Sequence, residues 1–180
     1  MEQAYLSDDV LEQIKNFNYP FTEEQKLLID KLILNEELKE RYKENGLCKE
    51  CKQPNTDYTD WKWCQPCNSK HFQQNFENWT SGNYDVDKLI QESQLNAKNH
   101  REILEWIEYD RFENVEYVAE GGFGTVYKAI WKDGFICYWK TSQQWCRCKN
   151  LTVVLKCLNN SKDITLEFLN KVIFLMYNII

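Results

Sequence analysis

Four cysteines carry the clearest chemistry in the chain. Cys48-x2-Cys51 and Cys64-x2-Cys67 are two Cys-x2-Cys pairs with twelve residues between them. Each pair presents two thiolates to one ion, and the intervening loop lets the pairs meet. That completes a tetrahedral four-sulfur shell suited to Zn2+. A shell closed by four protein ligands leaves no position for water, so the spacing implies a structural zinc. Gly46 and Pro66 stand where tight turns are needed. His71 is read as a solvent-facing residue at the start of a helix rather than a substitute ligand. A redox use of Cys-x2-Cys would need a thioredoxin-like strand–helix setting, which is missing.

The same segment mixes Lys49, Lys52, Lys62 and Lys70 with Tyr58, Trp61 and Trp63, but Glu50, Asp57 and Asp60 dilute the charge. Nucleic acid is therefore not expected as a ligand. A zinc-stapled module that contacts a protein partner fits better, because so short a segment builds little core of its own.

The second constellation is Val118-Ala-Glu-Gly-Gly-Phe-Gly-Thr-Val-Tyr-Lys-Ala129, followed by Val153-Val-Leu-Lys156. A nucleotide triphosphate needs close backbone approach and a cation in reach of its phosphates. Gly121, Gly122 and Gly124, on a hairpin turn, offer the first. Lys156, expected at the end of a buried strand, offers the second. No Gly-Lys-Ser/Thr opens a helix, so this is not a P-loop.

The elements that must position these groups are legible from periodicity. Residues 8–17 form a short amphipathic helical pattern. One longer helix is expected from Thr22, whose capping box with Gln25 opens it and which Gly46 closes, with Leu28, Leu32, Leu38 and Tyr42 on its apolar side. Helical spacing resumes at Phe72, Phe76 and Trp79, and again over 85–96 with Val86, Leu89 and Ile90 inward. From Asn114 the period becomes two: a hairpin across the glycine turn, a turn at Asp133-Gly134, an aromatic insertion over 135–149, and a strand over 151–158. A last helix is expected from Asp163. The fold class is α+β: a mainly helical region 1–111 with a zinc-ribbon-like segment 48–67, then antiparallel strands and one helix over 112–180.

On these residues the chain from about 112 onward resembles the N-lobe of a eukaryotic protein kinase, of the tyrosine-kinase-like or serine/threonine kind. Trp106-Ile-Glu-Tyr-Asp-Arg-Phe-Glu-Asn-Val115, with the upstream Cys-x2-Cys pairs, is similar to a group of such kinases. The resemblance implies that Val118, Val126 and Val154 line an adenine slot. Gly121, Gly122, Phe123 and Gly124 would cover the phosphates of ATP, and Lys156 would hold the α- and β-phosphates. The family's first loop glycine falls at Ala119, and its Val-Ala-Ile-Lys alanine at Val154. The acidic partner of the lysine falls at Lys171, leaving Glu167, one turn earlier, as a substitute. There is no His-Arg-Asp, Asp-Phe-Gly or Ala-Pro-Glu. The expectation is therefore a truncated lobe with weak ATP binding and no phosphoryl transfer by itself, Mg2+ belonging only to a longer parent chain. The alternative is a non-catalytic, zinc-stabilised interaction module with a vestigial kinase lobe.

Composition sets the outer bounds. The chain has 180 residues, a formal net charge of −6 and eight cysteines. Mean hydropathy is −0.66. No basic footprint for nucleic acid or lipid exists, and the longest apolar run, from Val172, is too short to span a bilayer. The N-terminus lacks signal-peptide character, so a cytoplasmic protein with reduced thiols is expected. Cys137, Cys146, Cys148 and Cys157 receive no role at this level.

Overall fold

The computed structural model describes residues 5–57, 61–122, 124–140, 142 and 144–158. The expected final helix, Glu167, Lys171 and Phe123 lie outside the described residues. The architecture is α+β, with five helices and two small antiparallel sheets among the described residues. The chain divides into two compact units: Met1–Gln74 with Leu95–Arg101, and Asn75–Gln94 with Glu102–Ile180. No described helix is long and apolar enough to cross a membrane.

The first unit opens with α1 (Asp8–Ile14), α2 (Glu23–Leu32) and α3 (Glu36–Asn45). The Thr22 capping box forms: Thr22 Oγ1 accepts from Gln25 N at 3.2 Å, and Thr22 N donates to the Gln25 side chain at 3.0 Å. The single helix expected from Thr22 to Gly46 is instead two. Asn35 breaks it, because its side chain accepts from Leu38 N at 3.0 Å and starts α3 afresh. The break turns Ile29 and Ile33 inward and leaves Leu28 only half-buried. Leu6, Ile14, Ile29, Ile33, Leu38 and Tyr42 then form one core. Each such buried aliphatic side chain contributes about 1.5–3 kcal/mol. Tyr42 spans the core and donates its hydroxyl to Ile14 O at 3.1 Å. Gly46 ends α3 at φ +65°, a left-handed conformation that disfavours side chains.

In the second unit α5 (Tyr84–Asn96) contributes its residues up to Gln94. Asp87 holds the loop before it, accepting from Thr80 Oγ1 and Ser81 N. Gln94, buried, donates to Leu104 O at 2.9 Å, which fixes the extended segment 103–108 against the helix. Strands β1 (Phe112–Gly121), β2 (Gly124–Trp131) and β5 (Leu151–Leu158) form a three-stranded antiparallel sheet in the order β1-β2-β5. The aromatic insertion forms its own hairpin, β3 (Phe135–Lys140) with β4 (Gln144–Cys148). Gly134 begins it at φ +61°. A Cβ there would stand 1.5 Å from Cys148 O, so only glycine lets the strands close.

Candidate functional site

The cysteine pairs meet because the chain around them is locked by hydrogen bonds. Cys48 N donates to Gln53 O at 2.8 Å, and Lys52 N to Cys48 O at 3.0 Å. Lys52, at φ +60°, reverses the chain and places Cys48 and Cys51 side by side. Leu47 and Pro54 bridge the base of this turn. Asn55, 1% exposed, exchanges side-chain amide bonds with the Asn45 backbone while Asn45 answers to Asn55 O, tying the turn to the end of α3. On the other side, α4 (Gln65–Gln73) has Cys64 as its N-cap residue and Cys67 in its first turn, with Pro66 where no backbone donor is needed. Trp63, 1% exposed, anchors this approach by donating Nε1 to Ala97 O at 2.9 Å.

The four Sγ atoms lie within 4.8 Å of one another, with Cys48, Cys64 and Cys67 buried and Cys51 half-buried. Cys51 Sγ is 3.6 Å from Cys64 Sγ, and Cys48 Sγ is 3.9 Å from Cys67 Sγ. A tetrahedron of sulfurs around one Zn2+ has edges of about 3.8 Å, given a metal–sulfur distance of about 2.3 Å. The donor set and spacing thus fit a structural metal ion. Packing four thiols together also splits their acidities. The hydrogen bond with Cys51 raises Cys48, but those with Cys64 and Cys67 outweigh it and bring Cys48 down to about 6. Cys51 is lowered by its bonds with Cys48, Cys64 and Cys67. Cys64 and Cys67 are raised, chiefly by the bond each makes with Cys48. A divalent cation held by this set would displace the remaining thiol protons. Glu50 N also donates to Cys48 Sγ at 3.4 Å. His71 departs from expectation. It sits in the last turn of α4, only partly exposed, and meets Glu50 Oε2 at 2.9 Å, because the knuckle folds Glu50 back onto that turn.

The second constellation occupies one end of the three-stranded sheet. Gly121 pairs with Gly124 across the turn, and Val126 lies opposite Lys156. Lys128 lies opposite Val154. Partners across an antiparallel ladder share a face, as do residues two apart, so Val126, Val154 and Lys156 stand on the same face. Ala119 joins them opposite Val126, and Val118 is the extra residue of a bulge beside it. This face is open: Val154 is 70% and Val118 55% exposed. The expectation of a buried strand before Lys156 is overturned. β5 is an edge strand of this sheet, and Val154, Lys156 and Cys157 are exposed. Gly121 and Gly122 have ordinary φ, and a Cβ on either would meet nothing within 4 Å. The fold itself does not require glycine at those two positions.

Sequence reasoning missed two features of the second unit. Arg147 pairs with the half-buried Glu105 at 2.7 Å, donates Nε to Gly134 O at 2.9 Å, and lies 5.4 Å over the Trp131 ring. Burial raises Glu105 above the usual carboxylate range, and the Arg147 charge opposes that. Nothing in local spacing announces a pair 42 residues apart. Cys137 and Cys148 are joined as a disulfide, against the expectation of reduced thiols throughout. The β3–β4 pairing brings them together, which their separation of 11 residues does not reveal. Trp131 is buried beneath Arg147, and Trp139 and Trp145 stack on each other edge to face, centroids 4.9 Å apart.

No protein-family model, no curated protein and no solved structure matches the chain.

Proposed function

We propose that the second unit is the nucleotide-binding lobe of a protein kinase, and that the first is a helical module stapled by one Zn2+. The observation that supports the first part is the shared open face: Val126, Val154 and Lys156 stand together at the end of the sheet that carries the glycine turn. In this reading the exposed valines Val118 and Val154 take the adenine ring as an apolar contact. Gly121 and Gly122, which the fold does not need as glycines, admit the phosphates close to the backbone. Lys156, beside Val126 and two residues from the turn, offers its ammonium to the α- and β-phosphates. Neither a catalytic base nor a set of magnesium ligands occurs in these 180 residues, so the activity proposed for this chain is nucleotide binding, with phosphoryl transfer left to any longer chain that contains it.

Titration of the full chain with a fluorescent ATP analogue, with and without Mg2+, tests the assignment. Saturable binding that competes with ATP is expected, and Lys156→Ala should weaken it about tenfold or more, equivalent to about 1.4 kcal/mol. Binding that is absent, or indifferent to Lys156→Ala, refutes it. Native mass spectrometry tests the zinc, the expected species being 21.7 kDa plus one zinc ion.

The second reading is a non-catalytic module that acts through protein contacts, with a vestigial lobe. The exposure of Val118 and Val154 favours it equally, since an apolar face can take a partner as well as a base. Zinc in the chain without any nucleotide binding is the result that selects it.

A further inference from the structure

The β3–β4 hairpin holds three cysteines, and their register has a chemical consequence. Ile136 pairs with Arg147 and Tyr138 with Cys146, so Cys137 is the extra residue of a bulge, facing the step between Arg147 and Cys146. It therefore has a cysteine on either side across the ladder, Cys148 and Cys146. It is bonded to the first, at a Cα–Cα separation of 6.6 Å. The second is a free, half-buried thiol. A disulfide tolerates Cα–Cα separations of roughly 4.4–6.8 Å, which the Cys137–Cys148 pair meets, and the bulge sets Cys137 beside Tyr138, the residue opposite Cys146.

We propose that Cys137, Cys146 and Cys148 form a thiol–disulfide exchange site whose reactant class is thiols, both the internal Cys146 and soluble monothiols such as glutathione. In the internal step the Cys146 thiolate attacks Cys137 Sγ. The Cys137–Cys146 bond forms, the Cys137–Cys148 bond breaks, and Cys148 leaves as the thiolate. One disulfide is consumed and one made, so no external oxidant enters. In the reductive step two monothiols take up the bond as their own disulfide, leaving Cys137 and Cys148 each protonated. Cys137 is fully buried, so a soluble thiol enters at the half-exposed Cys148.

The two linkages differ in what they enclose. With Cys137–Cys148 closed, Arg147 lies inside the covalent ring, where it holds the half-buried Glu105 and covers Trp131. With Cys137–Cys146 closed, Arg147 lies outside the ring and its hold on Glu105 depends on packing alone. The exchange thus controls how firmly the hairpin is fixed to segment 103–108. The four-cysteine site needs thiolates to hold a metal while this hairpin holds a disulfide. One chain carrying both is the pattern of a bond that is made and broken in use rather than a permanent staple.

The test is differential alkylation and peptide mapping of the full-length chain in glutathione buffers of graded ratio. Cys137 should be protected from alkylation at oxidising ratios and released at reducing ones, with linked peptides to both Cys148 and Cys146. In Cys148→Ser, Cys137 should stay protected through Cys146. In Cys146→Ser, the Cys137–Cys148 peptide should remain as the one linkage of Cys137. Wild-type linkage confined to Cys148, or Cys137 free at every ratio, overturns the proposal. If Cys148→Ser fails to fold, the wild-type and Cys146→Ser maps still decide it.

Discussion

The two units solve the problem of a small core in opposite ways. The first closes one core from six side chains in and beside its first three helices, and four sulfurs gather next to Trp63. The second buries Trp131, Ile136 and Cys137 at the hairpin end and leaves Val118 and Val154, near the glycine turn, exposed. The four cysteines of the first unit are mostly buried, whereas Val118, Val154 and Lys156 of the second are exposed. Burial separates these two groups of residues more sharply than residue type does.

The strongest way to break this comparison is at the four cysteines, through the metal proposed for them. Chelation, or Cys64→Ser, should unfold the segment 46–67, since structural zinc sites carry on the order of 10 kcal/mol of binding energy at neutral pH. Hydrogen exchange should show protection lost around Cys48, Asn55 and Trp63 and kept in β1, β2 and β5. Equal loss in both units would mean that the metal stabilises the second unit as well.

Next in size is Arg147→Met, which leaves the half-buried Glu105 carboxylate without its partner and should cost about 1.5–3 kcal/mol at neutral pH. Burial raises the pKa of Glu105 in the folded chain, with Arg147 opposing. A raised carboxylate favours folding below its ordinary range, and that contribution is lost as pH rises through the folded value. The deficit of the variant should therefore shrink as pH falls into the acid range, which denaturant melts at several pH values would reveal. A deficit independent of pH would place the cost in lost packing over Trp131.

Smaller again is Thr22→Ala, which removes one half of the capping box and should lower stability by about 1 kcal/mol. A near-zero effect would show that the helix start is held by core packing alone. An effect of similar size near neutrality belongs to Tyr42, which burial pushes up to about 12. Its neutral form is the one that folds, so its contribution is complete below the ordinary value of 10.0 and is lost as pH climbs through about 12. Tyr42→Phe should lose about 1 kcal/mol at neutral pH and then lose less than the parent in alkali, as alkaline melts would show.

Much of this molecule is written locally. The Thr22–Gln25 box, the hairpin across Gly121–Gly124, the β5 strand and the doubled Cys-x2-Cys spacing each depend on residues a few positions apart, where turn geometry and side-chain period leave few alternatives. The break at Asn35 was equally local, yet a continuous helical pattern masked it, because the apolar spacing on both sides fits a single helix nearly as well. What the sequence by itself determined is therefore the Thr22 cap, the glycine-turn hairpin, the β5 strand and which four sulfurs meet; the division into α2 and α3 and the β3–β4 hairpin it did not reveal. Tertiary structure alone decided that β5 is an exposed edge, that His71 meets Glu50, that Arg147 reaches Glu105, and that Cys137 is bonded to Cys148. Each of these depends on register or on contacts between segments distant in the chain, and only the packed chain supplies them.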